Sequence, residues 1–123
     1  MKRLLIIASC LFVGLISNAQ TGIKKANLPD TTKSIMTVEA SCGQCKFGLH
    51  GKGCDLAVRI NGKAYFVDGT SIDDHGDAHA NDGFCEAIRK AEVQGEVVNN
   101  RFKATYFKLL PNPVPVKPKS INR

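Results

Sequence analysis

The chain is predicted to form a mainly β fold, a small five-stranded OB-like barrel with one short helix between strands 3 and 4. Three observations carry this. Leu56–Ile60 and 64–67 are apolar, β-prone runs flanking Asn61-Gly62, the dipeptide most typical of a type I′ hairpin turn. A second pair of runs, 91–98 and 101–109, flanks Asn99-Asn100, and Asn tolerates positive φ. Between the hairpins, Phe84, Ala87, Ile88 and Ala91 recur at helical spacing. With a first strand over 35–40, the order is strand, long loop, strand, strand, helix, strand, strand, which is that of an OB-fold.

Each element has a local rationale. Stretch 35–40 is short and β-prone. In the fourth strand, Val93, Gly95 and Val97 alternate with Glu92, Gln94 and Glu96, the period of a half-buried strand. The expected helix has Asp82 as N-cap, with Arg89 and Lys90 suiting its negative C-terminal end.

The flanks set the domain limits. Lys2 and Arg3 precede an apolar run from Leu4 to Ile16, and Ser17-Asn18-Ala19 supplies small residues for cleavage, so residues 1–19 read as a signal peptide. That run is too short to span a bilayer comfortably, and no second apolar stretch follows. The expectation is therefore an exported chain, periplasmic or extracellular, with no transmembrane anchor after processing. A lipoprotein box ending at Cys10 is the alternative, but it would strand Leu11-Phe12-Val13 as an apolar tail. Residues 20–34 read as a flexible lead-in. Residues 111–123 hold Pro111, Pro113, Pro115 and Pro118 among basic residues and read as a solvated tail. The folded unit is expected over 35–110.

The chain has 123 residues and a net charge of +6, and two of its positive charges leave with the leader. A mildly basic barrel of this class could bind single-stranded nucleic acid, yet export and the scarcity of aromatics argue against it. Tyr65, Phe66, Phe102, Tyr106 and Phe107 lie on expected strands and read as core. No P-loop, dinucleotide fingerprint or nucleophile elbow is present, and no oxyanion hole can be assembled around a Cys–His pair. The acidic stretch fails the EF-hand pattern, since Gly76 at the glycine position places Asp82 where a bidentate Glu belongs. An enzyme is not the expected reading.

Two segments carry the chemistry. In 41–54, Cys42, Cys45 and Cys54 share a loop with Gly43, Gly48, Gly51 and Gly53, and Cys-x-x-Cys is the spacing of a chelating knuckle. In 68–86, Asp73, Asp74, Asp77, His75, His79 and Cys85 occur without a single Lys or Arg. Were that turn helical, His75 and His79 would share a face. The reading adopted is a binding module for a transition metal, zinc or copper being the natural guests, with Cys42, Cys45, His75, Asp77, His79 and Cys85 as ligands. The first alternative is a disulfide-stapled structural or protein-interaction domain, in which Cys42, Cys45, Cys54 and Cys85 pair by one of three connectivities. The second is thiol–disulfide redox chemistry at Cys42 and Cys45, against which the glycines after the motif speak, since they disfavour a helix there.

The segments Ser41-Cys42-Gly43-Gln44-Cys45, Gly53-Cys54-Asp55-Leu56-Ala57-Val58 and Asp73-Asp74-His75-Gly76-Asp77-Ala78-His79 together resemble an uncharacterised family of small exported proteins common in Bacteroidota. The resemblance spans roughly 38–110. It implies an exported domain and brings no activity with it.

Overall fold

A computed structural model describes residues 28–113. The expected signal peptide with Cys10, the start of the lead-in and nearly all of the Pro-rich tail lie outside the described residues. Five strands, β1 (Met36–Cys42), β2 (Leu56–Ile60), β3 (Lys63–Asp68), β4 (Arg89–Val98) and β5 (Arg101–Leu109), form a closed barrel in the order β1-β2-β3-β5-β4. β1 pairs antiparallel with both β2 and β4, and β3 meets β5 in parallel. That is the connectivity of a five-stranded OB-like barrel. Among the described residues, no helix is long and apolar enough to cross a membrane.

Both hairpin turns have the backbone their sequences call for. Asn61 and Gly62 have φ of 50° and 82°, and Asn99 and Asn100 have 51° and 60°. Positive φ at both central residues is the type I′ geometry whose twist matches the flanking strands. The barrel interior is filled from every strand, with Val38, Val58, Val67, Val93, Phe102 and Phe107 in one continuous core.

The alternation expected along β4 is interrupted at Gln94, which is buried beside buried Val93, and at Val97, which is 44% exposed. The register with β5 shifts between Gln94 and Gly95: Gln94 pairs with Tyr106 and Gly95 with Ala104, so the extra residue of the bulge is Thr105, on β5. Gln94 then uses its buried amide outside the barrel. Its Oε1 accepts from the Asp30 amide at 2.8 Å, and its Nε2 donates to the Asp30 and Lys33 carbonyls. The turn ahead of β1 is thereby held against β4.

The helical turns sit elsewhere than expected. Between β3 and β4 there is one turn of 3-10 helix, Ile72–His75, while residues 81–86 form turns and 87–88 are irregular. The 84–91 periodicity fails for a specific reason. Ala87 N–H does bond the Gly83 carbonyl as in a helix, but the next acceptor is taken. The Phe84 carbonyl receives the Cys42 amide at 3.0 Å and the Ser41 hydroxyl at 2.6 Å. Ile88 is left 42% exposed, and Arg89 already pairs with Ala40 of β1. Asp82 caps no helix. Its carbonyl and carboxylate instead accept from Arg89 Nη1. The short α-helix, α1 (Gly43–Lys46), lies between β1 and β2, where the neighbouring glycines had argued against one. It ends after a single turn, and Gly48 follows at φ 67°.

The bulge gives a test of why each glycine is where it is. Gly62 faces open space, so Gly62→Ala meets only the left-handed backbone penalty of about 1–2 kcal/mol. A Cβ on Gly95 would lie 2.1 Å from the Lys103 carbonyl oxygen across the strand pair, so Gly95→Ala must displace backbone. Chemical denaturation is expected to show a clearly larger loss for Gly95→Ala than for Gly62→Ala.

Candidate metal centre

The barrel brings four sulfurs together. Cys42 ends β1, Cys45 lies in α1, Cys54 immediately precedes β2, and Cys85 sits in the β3–β4 connection. The four Sγ atoms lie within 4.8 Å of one another. Cys45 and Cys54 sulfurs are 4.0 Å apart and those of Cys54 and Cys85 are 2.7 Å apart. All four are free thiols. Cys42 is fully buried, Cys54 and Cys85 are half-buried, and Cys45 is exposed.

Three seams hold this geometry. The first is the knuckle itself. The Cys45 amide donates to Cys42 Sγ at 3.4 Å, so the Cys-x-x-Cys spacing wraps one turn of backbone around the first sulfur. Gly43 is needed here, because a Cβ would come within 2.6 Å of the Phe66 ring. The second seam ties α1 to the Cys54 strand. The Gly43 amide bonds the Asp55 carbonyl at 2.8 Å. The Gln44 side chain completes a two-way clasp, its Oε1 accepting from the Asp55 amide and its Nε2 donating to the Asp55 carboxylate. The third seam brings in Cys85. Buried Ser41 donates to the carbonyls of both Phe84 and Ala87, which flank that cysteine, and the Cys85 amide bonds the Ala78 carbonyl. Phe84, Ile72 and Ala78 are buried in the barrel core, so the connection is anchored from beneath as well.

The electrostatics follow from packing four acidic thiols together. Burial opposes ionisation of Cys42, but hydrogen bonds from the Cys54 and Cys45 thiols and from the Cys45 and Gln44 amides outweigh it and lower its pKa. Cys45 is pushed up to about 11, first because its thiol donates to Cys42 and then by desolvation. Cys54 is also pushed well up, by burial first and then by its contacts with Cys42 and Cys85. Ionisation favoured at Cys42 opposes ionisation of Cys45 and Cys54, a repulsion that a divalent cation would relieve.

The predicted histidine and aspartate ligands do not join this group. Among the described residues, the only His, Cys, Asp and Glu whose donor atoms converge in this way are the four cysteines. His75 packs its ring 4.5 Å from that of Phe107, and its Nε2 bonds the Thr70 hydroxyl at 2.9 Å. Burial lowers its pKa, against a smaller opposing pull from Asp74. The helical turn stops at Gly76 with φ 102°, so His79 does not share a face with His75 and is exposed. Asp77 is exposed too, and its carboxylate accepts from the His79 amide. His75 and Asp77 line a separate cavity of about 290 Å³ with Asp82, Phe84 and Arg89. Cys54, which the sequence reading placed only among disulfide candidates, belongs to the cluster. Its signal was its position just ahead of an antiparallel partner of β1, with Leu56 opposite Cys42 in register.

Thiol exchange at Cys42 and Cys45 fits this geometry poorly. A disulfide substrate cannot reach the sealed Cys42, and the accessible Cys45 has a raised pKa that leaves little thiolate to attack.

The family model described as a family of unknown function, DUF6370, matches residues 36–110. The chain belongs to DUF6370. Searches of curated proteins and of solved structures each found no match. The matched segment of this DUF6370 member contains all five strands and all four clustered cysteines.

Two outcomes test one of these seams and the separate place of His75. Ser41→Ala removes the hydroxyl donor from the Ala87 carbonyl and leaves the Phe84 carbonyl only the Cys42 amide, and is expected to cost about 1–3 kcal/mol. Mass-resolved alkylation of this variant should show Cys85 reacting faster while Cys45 is unchanged. For His75, the folded pKa is depressed, so the unfolded chain binds the proton more readily. Its contribution to stability is therefore intact above the unfolded value of about 6.5 and declines as pH falls below it. His75→Gln should flatten the part of the acid-side stability loss between about pH 7 and pH 5, as read by denaturant melts.

Proposed function

We propose that the mature chain is an exported binding module that holds one transition metal ion, zinc, through the thiolates of Cys42, Cys45, Cys54 and Cys85. The observation that carries this is the convergence of all four sulfurs within 4.8 Å on a barrel end. Four thiolates at about 2.3 Å from a tetrahedral zinc are separated from one another by about 3.8 Å. The Cys45–Cys54 separation of 4.0 Å is close to that figure, and the Cys54–Cys85 pair would open by about 1 Å to reach it. An all-sulfur tetrahedral donor set favours zinc or iron among the common metals. Four protein ligands leave no open coordination position, which marks a structural rather than a catalytic site.

The leader composition supports export, and export bears on the thiols. In an oxidising compartment, unprotected cysteines are converted to disulfides, whereas bound metal keeps them as thiolates. The disulfide-stapled alternative finds support in the 2.7 Å approach of Cys54 to Cys85. The metal reading accounts for more, because two independent staples do not require four sulfurs to share one point.

What zinc would do mechanically follows from the seams. Cys42 belongs to the barrel, Cys45 and Cys54 bracket the β1–β2 loop, and Cys85 belongs to the β3–β4 connection. A metal joining them cross-links both long connections to the barrel. Its binding free energy then becomes folding free energy for those connections.

The protein purified from the periplasm is expected to contain one equivalent of zinc by elemental analysis and to begin at Gln20 by N-terminal sequencing. Cys42→Ser should abolish stoichiometric metal and lower the melting temperature. His75→Ala with His79→Ala should retain the metal. Protein isolated with two intact disulfides and no metal would contradict this function.

A further inference from the structure

Cys54 and Cys85 occupy a special place within the cluster. Their sulfurs are 2.7 Å apart, against 4.0 Å for Cys45 and Cys54, and closure to a disulfide bond of about 2.05 Å needs little motion. The pair joins two segments 31 residues apart in sequence. Cys54 also borders a cavity of about 200 Å³, lined with Asp55, Thr70, Ser71, Asp73 and Arg101. Leu56, Val67 and Ile72 complete its wall, and none of Cys42, Cys45 and Cys85 lines it. By contrast, Cys42 is sealed.

We propose that Cys54 and Cys85 form a thiol-oxidation site for small hydroperoxides, whose closure to a disulfide dismantles the metal centre. The metal half of this rests on the proposed zinc binding, while the pairing rests on the sulfur geometry alone. A hydroperoxide enters the recess beside Cys54. Cys54, held as a thiolate by the bound metal, attacks the terminal peroxide oxygen, the O–O bond breaks, and a sulfenic acid forms as water or an alcohol departs with one proton. Cys85 then attacks the Cys54 sulfur, forming the S–S bond and expelling the sulfenic oxygen as hydroxide, which takes a second proton to become water. The two sulfurs together lose two electrons and the peroxide gains them. With hydrogen peroxide, the four-thiolate zinc site consumes one peroxide and two protons, and yields one disulfide, two thiolates, free zinc and two waters. Two remaining thiolates cannot hold the ion as four did, so the metal leaves.

The placement of the pair gives the reaction a structural consequence. The new bond cross-links the residue ahead of β2 to the β3–β4 connection, the same two segments the metal joins. The fold therefore keeps a covalent tie when the ion departs, while Cys42 and Cys45 become free to take up metal elsewhere or stay reduced. A reductant of the thiol class reverses the step by thiol–disulfide exchange.

The test treats zinc-loaded, reduced protein with hydrogen peroxide and follows zinc with a colorimetric chelator while mapping disulfides by mass spectrometry. Trypsin separates the partners cleanly, because Cys54 falls in peptide 53–59, Cys85 in 64–89, and Cys42 with Cys45 in 34–46. The expected product is the 53–59/64–89 linked pair, with one zinc released per disulfide and both reversed by dithiothreitol and fresh zinc. A first disulfide within 34–46, or one linking 34–46 to either other peptide, would overturn the proposal. So would release of zinc without any disulfide, or peroxide oxidation confined to Cys45 with zinc retained. Cys42→Ser/Cys45→Ser protein separates the two claims, since it lacks half of the ligands. Treated with peroxide at alkaline pH, where metal-free thiols ionise, it should still form the Cys54–Cys85 bond, and failure to do so in folded protein would refute the pairing. If wild-type protein takes up no zinc yet forms this disulfide, the metal reading and the metal-release half fall, and the pairing stands.

Discussion

At the end of β1, the Cys42 amide and the Ser41 hydroxyl both reach the carbonyl of Phe84. This shared acceptor is the constraint on which the rest of the site depends. It takes from residues 84–88 the carbonyl that a helix would have used, and it fixes Cys85 one residue beyond the contact. It also seals Cys42 against the barrel core. A hydroxyl shared between two carbonyls is worth more than its net hydrogen-bond energy suggests, because losing it strips the Ala87 carbonyl of this donor and leaves the Phe84 carbonyl only the Cys42 amide. The architecture spends a helix to obtain a joint between the barrel and its longest connection.

Around that joint the barrel behaves as an OB-like scaffold whose loops carry the chemistry. The β1–β2 connection contributes two thiols and the β3–β4 connection one, while the barrel itself supplies the buried fourth. Each long connection alone has few apolar anchors. Between them, Phe84, Ile72 and Ala78 reach the core, and the β1–β2 loop is held chiefly by Gln44, Gly43 and Asp55. A metal bound by all four sulfurs, as proposed, would supply to these loops what a larger core supplies to a larger domain.

The fold was largely legible in the sequence. Asn61-Gly62 and Asn99-Asn100 located both hairpins, because a two-residue turn with positive φ leaves a short, local signature. The helix at 84–91 was misread because periodicity reports which side chains are apolar and says nothing of where a carbonyl is spent. Phe84 and Ala91 are indeed buried, but one lies in a turn and the other in a strand. The bulge opposite Gly95 was invisible for a similar reason, since it depends on the close approach of the Lys103 carbonyl across the strand pair. Of the site, the Cys-x-x-Cys knuckle was readable from spacing. Cys85 was grouped with the knuckle as a ligand, whereas Cys54 was taken only as a disulfide candidate, because its placement beside Cys42 comes from strand register. His75 and His79 drew attention as ligand types, yet His75 is engaged with Thr70 and Phe107 and His79 faces solvent.

The central claim is that four sulfurs and no imidazole surround one metal. X-ray absorption at the zinc edge of protein purified with its metal measures this directly. A single shell of four sulfur scatterers at about 2.3 Å is the predicted result. A shell containing nitrogen or oxygen scatterers near 2.0–2.1 Å would contradict the account and return the histidines to the site.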